Sequence, residues 1–376
     1  MASQMEIKMN SVERVVQYYD LEVEADEDTP KEHRGTVVGE LTSFLDSADK
    51  HADDDVADKE GDVPKSKEEV GGDGSDHCRH QRQLDDDGVG YDALMADWPS
   101  RGEIVLREVS MRYRPELPVV LKSISFSINA GERVGIVGRT GSGKSSILQA
   151  LMRTVEIDSG SILIDGVDTS RLGLKDLRRK IGIIPQDPIL FSGTLRKNVD
   201  PFGEYEDHEL VNAIRNAGLN GVLLDDEISD SGSNLSVGQR QLVCLARALV
   251  SRCKILLLDE ATASVDYETD SKIQQAIVDN FIHGEQRSTV ISIAHRLNTV
   301  LDHDRVLVME DGVPVEFDDP HHLLHEYAGE HDAVGNPRAT GSLVDMVNST
   351  GSQNAKLLRA LSRRSFEDRR NKKKLQ

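Results

Sequence analysis

The chain has 376 residues, enough for one or two domains plus tails. Its net charge is −21, an acidic total that argues against nucleic acid as the main partner. Three cysteines, Cys78, Cys244 and Cys253, are too few for a disulfide framework and fit a reduced, cytosolic setting.

The charge is uneven. Asp20 to Asp97 carries roughly −17 of it, and the stretch from Gln353 onward is basic, roughly +7. The tail reads as a short solvated charge run. His77-Cys78-Arg79-His80 has no second ligand pair near it, so it does not predict a metal site. No apolar run is long enough to span a bilayer, and Met1 to Ser11 has no signal-peptide core. Taken alone, the chain is expected to be soluble.

Ser11 to Leu21 carries Val12, Val15, Val16 and Tyr19 at helical spacing and predicts a short amphipathic helix. From there to about Trp98, acidic runs such as Asp53-Asp54-Asp55 sit among Ser, Gly and Lys. So few apolar residues cannot offset the entropy of ordering, and residues 22–100 are expected to be a mostly disordered linker.

Order is expected to resume at Ile104. Ile104 to Tyr113 and Val119 to Ile128 read as strands joined by a loop, and Arg133 to Val137 reads as a third. Then comes Gly138-Arg139-Thr140-Gly141-Ser142-Gly143-Lys144-Ser145-Ser146, a G-x-x-x-x-G-K-S loop between a strand and a helix over Ser146 to Met152. Gly141 and Gly143 let backbone N–H groups wrap a polyphosphate, and the helix points its positive end at the same anion. Lys144 supplies charge for the outer phosphates and Ser145 a hydroxyl for Mg²⁺. The loop therefore predicts a nucleoside triphosphate, without saying what the energy is used for.

Further on, Ser161 to Ile164 and Ile181 to Ile184 read as strands, and Leu174 to Arg179 and Asp207 to Ala217 as helices. Val237 to Val250 reads as a helix and Ile255 to Leu258 as a fully apolar strand. Thr289 to Ile293 and Val306 to Met309 read as the last strands, and Gly341 to Leu361 as a terminal helix. Apolar strands alternating with helices predict an α/β fold with a mostly parallel sheet, whose ligands sit at the carboxyl ends of strands. The strand Ile255 to Leu258 ends in Asp259-Glu260. One carboxylate there can hold Mg²⁺ and the next can activate water. Leu235-Ser236-Val237-Gly238-Gln239 opens a helix and makes a second anion site.

Two anion sites in this order resemble the ATP-binding cassette (ABC) transporter family. The chain is most similar to the second nucleotide-binding domain of subfamily C, the multidrug-resistance-associated type, from about Arg101 to Leu324. The resemblance implies a P-loop NTPase core with an antiparallel β-subdomain and an α-helical signature subdomain, and ATP and Mg²⁺ as cofactors. It implies that Tyr113 stacks on adenine and that Gly138 to Ser146 bind the phosphates. Gln186 matches the Q-loop, a Mg²⁺ contact facing transmembrane domains. Asp259 is the Walker B metal carboxylate and Glu260 the catalytic base. Ser264-Val265-Asp266 matches the D-loop, and His295, in Ala294-His295-Arg296, the γ-phosphate-contacting H-loop. Leu235 to Gln239 would cap the ATP of a second cassette packed head to tail.

Val237 replaces the commoner signature glycine, as is usual in the second domain of this subfamily. Asn220 to Ser231 is about six residues shorter than the family's usual run. Residues 1–21 look like the elbow after a last transmembrane helix, so the chain reads as the C-terminal part of a transporter at the cytoplasmic face of a membrane. The expected division is 1–21 elbow, 22–100 linker, 101–335 cassette and 336–376 terminal helix and basic tail. The implied function is ATP hydrolysis powering solute export. A soluble regulatory ATPase would carry two cassettes or a coiled-coil insertion, and a non-hydrolysing ATP-binding module would lack Glu260 or His295.

Overall fold

The computed structural model describes residue 40 and residues 95–259, 267–283, 287–294, 297–325, 342–351, 355–356 and 358–360. The expected elbow helix, most of the acidic stretch, Glu260, the Ser264 to Asp266 segment, His295 and the far basic tail lie outside these residues.

The chain opens with strands β1 (Ile104–Met111) and β2 (Leu121–Ile128), which pair antiparallel, followed by β3 (Arg133–Gly138). Helix α1 (Lys144–Leu151) follows the phosphate-type loop. Strands β4 (Ser159–Ile164) and β5 (Val167–Asp168) come next, then α2 (Leu174–Lys180) and β6 (Ile181–Ile184). The middle holds β7 (Gly193–Thr194), α3 (Leu195–Val199), α4 (Asp207–Asn216), β8 (Glu227–Ile228) and α5 (Val237–Ser251). Strand β9 (Ile255–Asp259) leads to α6 (Tyr267–Ile277) and a π-helical turn at Val278–Ile282. The last part is β10 (Thr289–Ile293), α7 (Leu297–Val300), β11 (Arg305–Glu310), β12 (Val313–Asp318), α8 (Pro320–His325) and α9 (Ser342–Ser349).

The main sheet has the order β12-β11-β3-β10-β9-β6, and a four-stranded sheet has the order β2-β1-β4-β5. From β11 to β6 the main sheet is parallel; β12 is its antiparallel edge. The apolar β9 run is central because parallel strands are covered on both faces. Its side chains alternate accordingly. Ile255 and Leu257 join one core with α1, α2 and the antiparallel sheet. Leu256 and Leu258 join a second core with α3, α4, α5 and α6. A third core, around Val306 and Val308 of β11, packs α8 and α9 on that second face.

The two strands expected at the front hold to within two residues at each end, and one expectation, the length of the terminal helix, needs correction. Residues just upstream of Arg101 pack against the cassette. Met95 and Trp98 are buried, and Trp98 Nε1 donates to the Ile164 carbonyl at 3.1 Å. Lys180 Nζ donates to the Ala96 carbonyl at 2.7 Å. Glu40, inside the supposed linker, is paired with Arg171 at 2.8 Å and accepts from the Asp168 N–H at 3.3 Å. Composition averaged over a long acidic stretch hides such anchors. The terminal helix expected over 341–361 stops at Ser349, followed by Gly351 at φ 95°; residues 355–356 and 358–360 are helical.

Candidate functional site

The parallel strands β3, β10, β9 and β6 end on one edge, where the phosphate-type loop, Asp259 and Gln186 lie at or just past the strand ends. Ile293 of β10 lies opposite Ile136 of β3 on one side and Asp259 of β9 on the other. Ile184 of β6 lies opposite Leu258. This register brings the β3 loop, Asp259 and the residue run into Gln186 to neighbouring strand ends. Ala294 therefore leaves β10 between the strand that carries the loop and the strand that ends in Asp259.

The loop itself needs glycine. Gly138, Gly141 and Gly143 have φ of 155°, 85° and 97°, a region L side chains rarely adopt. At Gly138 a Cβ would lie 2.4 Å from the Met309 carbonyl oxygen and 2.5 Å from Ser142 Oγ. Arg139, Thr140 and Gly141 are exposed at the tip, while Ser142, Lys144 and Ser146 are buried. Lys144 Nζ donates to the carbonyls of Gly138 and Arg139 at 3.0 and 3.1 Å, so its ammonium is curled into the loop. An anionic phosphate makes a stronger, charge-assisted partner than a neutral carbonyl. Ser142 Oγ is buried with no hydrogen-bond partner. A Cβ on Gly141 would meet nothing within 4 Å, so the loop faces open space there. A cradle of this shape, with a lysine and an unsatisfied hydroxyl, fits a polyphosphate.

Ser145 Oγ donates to Asp259 Oδ1 at 3.3 Å, across 114 residues of chain. A hydroxyl and a carboxylate at that spacing are hard oxygen donors of the kind Mg²⁺ takes. Tyr113, 41% exposed, lies beside α1 with its hydroxyl 2.9 Å from Ser146 Oγ. Gln186 is exposed just past β6. Glu260, the residue after Asp259, and His295 fall outside the described residues.

Ser236, Val237, Gly238 and Gln239 start α5 on the opposite face of the sheet from α1. Ser236 caps the helix: its Oγ accepts from the Gln239 N–H at 3.1 Å and its N–H donates to Gln239 Oε1 at 2.9 Å. Leu235 packs on the second core. The short run before it is stitched in place by β7–β8 pairing and by Leu195 N–H to the Asp226 carbonyl at 2.9 Å.

Sequence reading missed several supports. Asp311-Gly312, at φ 45° and 82°, is the two-residue turn joining β11 to β12, and the Gly312 N–H donates to the Ser142 carbonyl at 3.1 Å. The dipeptide itself was the available signal. Arg247 of α5 reaches across to the loop after Gln186, donating to the Ile189 carbonyl at 3.1 Å and to Asn198 Oδ1 at 3.2 Å. Burial lowers the Arg247 pKa and raises that of neighbouring Cys244. Nothing in the sequence pattern marked either contact.

The family model for ABC transporters matches residues 121–263, from β2 through β9. That span is an ABC transporter nucleotide-binding domain. "ABC transporter C family member 3" of Dictyostelium discoideum is 50% identical over 272 residues, covering 71% of this chain and 18% of that protein. "ATP-binding cassette sub-family C member 2" of Homo sapiens is 51% identical over 234 residues, covering 61% of this chain and 15% of that protein. A bacterial Atm1-family ABC exporter with ATP bound matches with a TM-score of 0.58 and 32% identity, covering 67% of this chain and 42% of that one. The chain thus spans under a fifth of the length of these curated relatives. The cassette has the fold of the ATP-hydrolysing P-loop NTPases of ABC exporters. Among the described residues, no helix is long and apolar enough to cross a membrane.

Proposed function

We propose that this chain is the second nucleotide-binding domain of a subfamily C full transporter, and that it binds and hydrolyses Mg·ATP to power solute export. The contact of Ser145 with Asp259 carries the reading, because it joins the phosphate loop to the carboxylate strand with a metal-type oxygen pair. In this reading Lys144 and the N–H groups of Gly138 to Ser146 hold the phosphates. Ser145, Asp259 and Gln186 hold the metal, which would supply charge neutralisation at the phosphates when bound. Tyr113 stacks on adenine, Glu260 takes the proton of the attacking water, and His295 contacts the γ-phosphate. Residues 22–100 link the cassette, at 101–335, to an elbow at 1–21, and residues 336–376 form its C-terminal helix and basic tail.

The signature start at Ser236 opens a helix that packs on the opposite face of the sheet from α1, which supports a second cassette as partner. Transmembrane domains as a further partner are supported by apolar side chains beyond Gln186: Ile189, Phe191 and Phe202 are 70%, 61% and 69% exposed. Such a chain works at the cytoplasmic face of a membrane. The test is ATP titration and phosphate release with Lys144→Ala. The variant is expected to lose tight ATP binding and turnover; unchanged affinity would refute the assignment of the loop.

A further inference from the structure

The turn between β11 and β12 meets the phosphate-type loop, which a hairpin turn has no need to do. Gly312, at φ 82°, donates its N–H to the Ser142 carbonyl at 3.1 Å, and its own carbonyl accepts from the Lys122 N–H at 2.9 Å. One residue is thus bonded to the loop on one side and to β2 on the other. A Cβ on Gly312 would collide with the Val120 carbonyl oxygen and lie 3.1 Å from the Val120 carbonyl carbon. A Cβ on Gly143 would lie 3.1 Å from Leu121 Cδ2 and 3.6 Å from the Gly312 Cα. The loop, the turn and the start of β2 are therefore in direct contact. Turn geometry alone asks only for left-handed residues, which Asn supplies as well as Gly. It is the approach of Val120 that leaves room for nothing but Gly.

The bond to Ser142 fixes more than one atom. A trans peptide holds its C=O and the following N–H on opposite sides. With the Ser142 carbonyl turned to the β11–β12 turn, the Gly143 N–H points away from it. Gly143 is the cap before Lys144, so this N–H belongs to the set at the positive end of α1. The same hairpin meets the start of the loop, because Met309 lies opposite Gly138 in the register of β11 on β3. One hairpin thus holds the loop at Gly138 and at Ser142, while Gly141 between them faces open space.

We propose that the Asp311-Gly312 turn is a positioning element for nucleotide binding: by holding the Ser142 carbonyl it keeps the Gly143 N–H turned to the phosphates. It acts through the loop, so the proposal rests on the reading of Gly138 to Ser146 as the phosphate site.

The experiment is titration of the full chain with Mg·ATP, with inorganic triphosphate titrated in competition. Gly312→Ala forces the turn off Val120 and away from Ser142. A second variant, with one glycine inserted between Asp311 and Gly312, adds no side chain but moves the N–H out of place, and it decides the matter where the alanine variant does not fold. Gly102→Ala is the matched control: φ is 78° and the Cβ would lie 2.7 Å from the Lys254 carbonyl oxygen, at the amino-terminal ends of β9 and β10. Circular dichroism checks that each variant is folded. The turn variants are expected to weaken ATP and triphosphate by the same factor, about tenfold to a hundredfold, the scale of one hydrogen bond to a charged group. Gly102→Ala is expected to stay within about twofold of the parent, since lost stability alters affinity only through the folded fraction. The proposal is overturned if the folded turn variants bind ATP as the parent does, or if Gly102→Ala loses as much as they do. It is also overturned if ATP weakens while triphosphate does not, which would place the effect at the adenine. Lys144→Ala, run alongside, tests the loop itself. Unchanged affinity there refutes the phosphate site, and the proposal falls with it; loss there with none in the turn variants overturns the proposal alone.

Discussion

Gly138→Ala separates the architecture of the loop from its chemistry. The added Cβ would sit 2.4 Å from the Met309 carbonyl oxygen, in a backbone conformation with φ 155°. Met309 cannot retreat easily, because it lies opposite Gly138 in β11, which is itself held between β3 and β12. Backbone strain of about 1–3 kcal/mol and overpacking of about 1–3 kcal/mol combine to a destabilisation of about 2–6 kcal/mol. That is a large share of a typical domain's stability of about 5–15 kcal/mol. Gly141→Ala is the control. Its Cβ would meet nothing within 4 Å, so only the cost of φ 85°, about 1–2 kcal/mol, applies. Urea unfolding of both variants, followed by circular dichroism, measures the difference. A loss for Gly138→Ala no larger than that for Gly141→Ala would show that the Met309 contact does not constrain the loop.

Tyr113→Ala is expected to weaken ATP binding by about 1–3 kcal/mol through lost base stacking. Tyr113→Phe, which loses only the hydroxyl bond to Ser146, is expected to cost about 1 kcal/mol or less; equal losses in a nucleotide titration would argue against stacking. Burial raises the Cys253 thiol from its ordinary 9.0 to about 11. The folded chain keeps that proton where the unfolded chain has lost it, so this contribution to stability is complete below pH 9.0 and is lost as pH rises to about 11. Unfolding free energies at alkaline pH should therefore fall less steeply for Cys253→Ala than for the parent, and identical slopes would contradict the burial argument. Glu260→Gln is expected to retain ATP binding but stop water attack, trapping a cassette dimer seen by size-exclusion chromatography with Mg·ATP at rising protein concentration. A chain that stays monomeric yet hydrolyses ATP at full rate would overturn the two-cassette reading.

How much of this was legible in the sequence differs from element to element. β9 was plain because Ile255 to Leu258 are all apolar, and α5 because Ser236 and Gln239 form a capping box ahead of an apolar stripe. The phosphate-type loop and Asp259 were read from spacing, and the fold then brought Ser145 and Asp259 into contact. β12 escaped because Val313 to Asp318 mixes Pro314 and Glu316 into an edge strand whose side chains are only half covered. The Asp165-Gly166 and Asp311-Gly312 turns were local hairpin signals that the apolar pattern overshadowed. The grip of Arg247 was not legible at all. It joins segments far apart in pattern, and a lone Arg in a sequence says nothing of the carbonyls it will meet.

The register of the main sheet also explains how one face can respond to the other. α1 and the phosphate loop pack on the face that takes Ile255 and Leu257; α5 and its signature start pack on the face that takes Leu256 and Leu258. A close-packed sheet shifts as a unit rather than bending, since its interior has few voids to absorb a displacement. The strand ends are different. There Asp259 meets Ser145 from the first face, while Arg247 of α5 holds the carbonyl of Ile189, in the loop that follows Gln186, from the second. Ile293 lies opposite Asp259 in register, so the segment toward His295 leaves from the same edge. In the proposed reading, any displacement of Asp259 or Gln186 on phosphate binding would therefore be felt at one edge by contacts reaching both faces. The loop beyond Gln186 is also where Ile189 and Phe191 stand exposed. In the proposed reading, coupling between nucleotide and partner needs no path through the core: the edge that would receive the phosphates carries Gln186, three residues before the exposed Ile189.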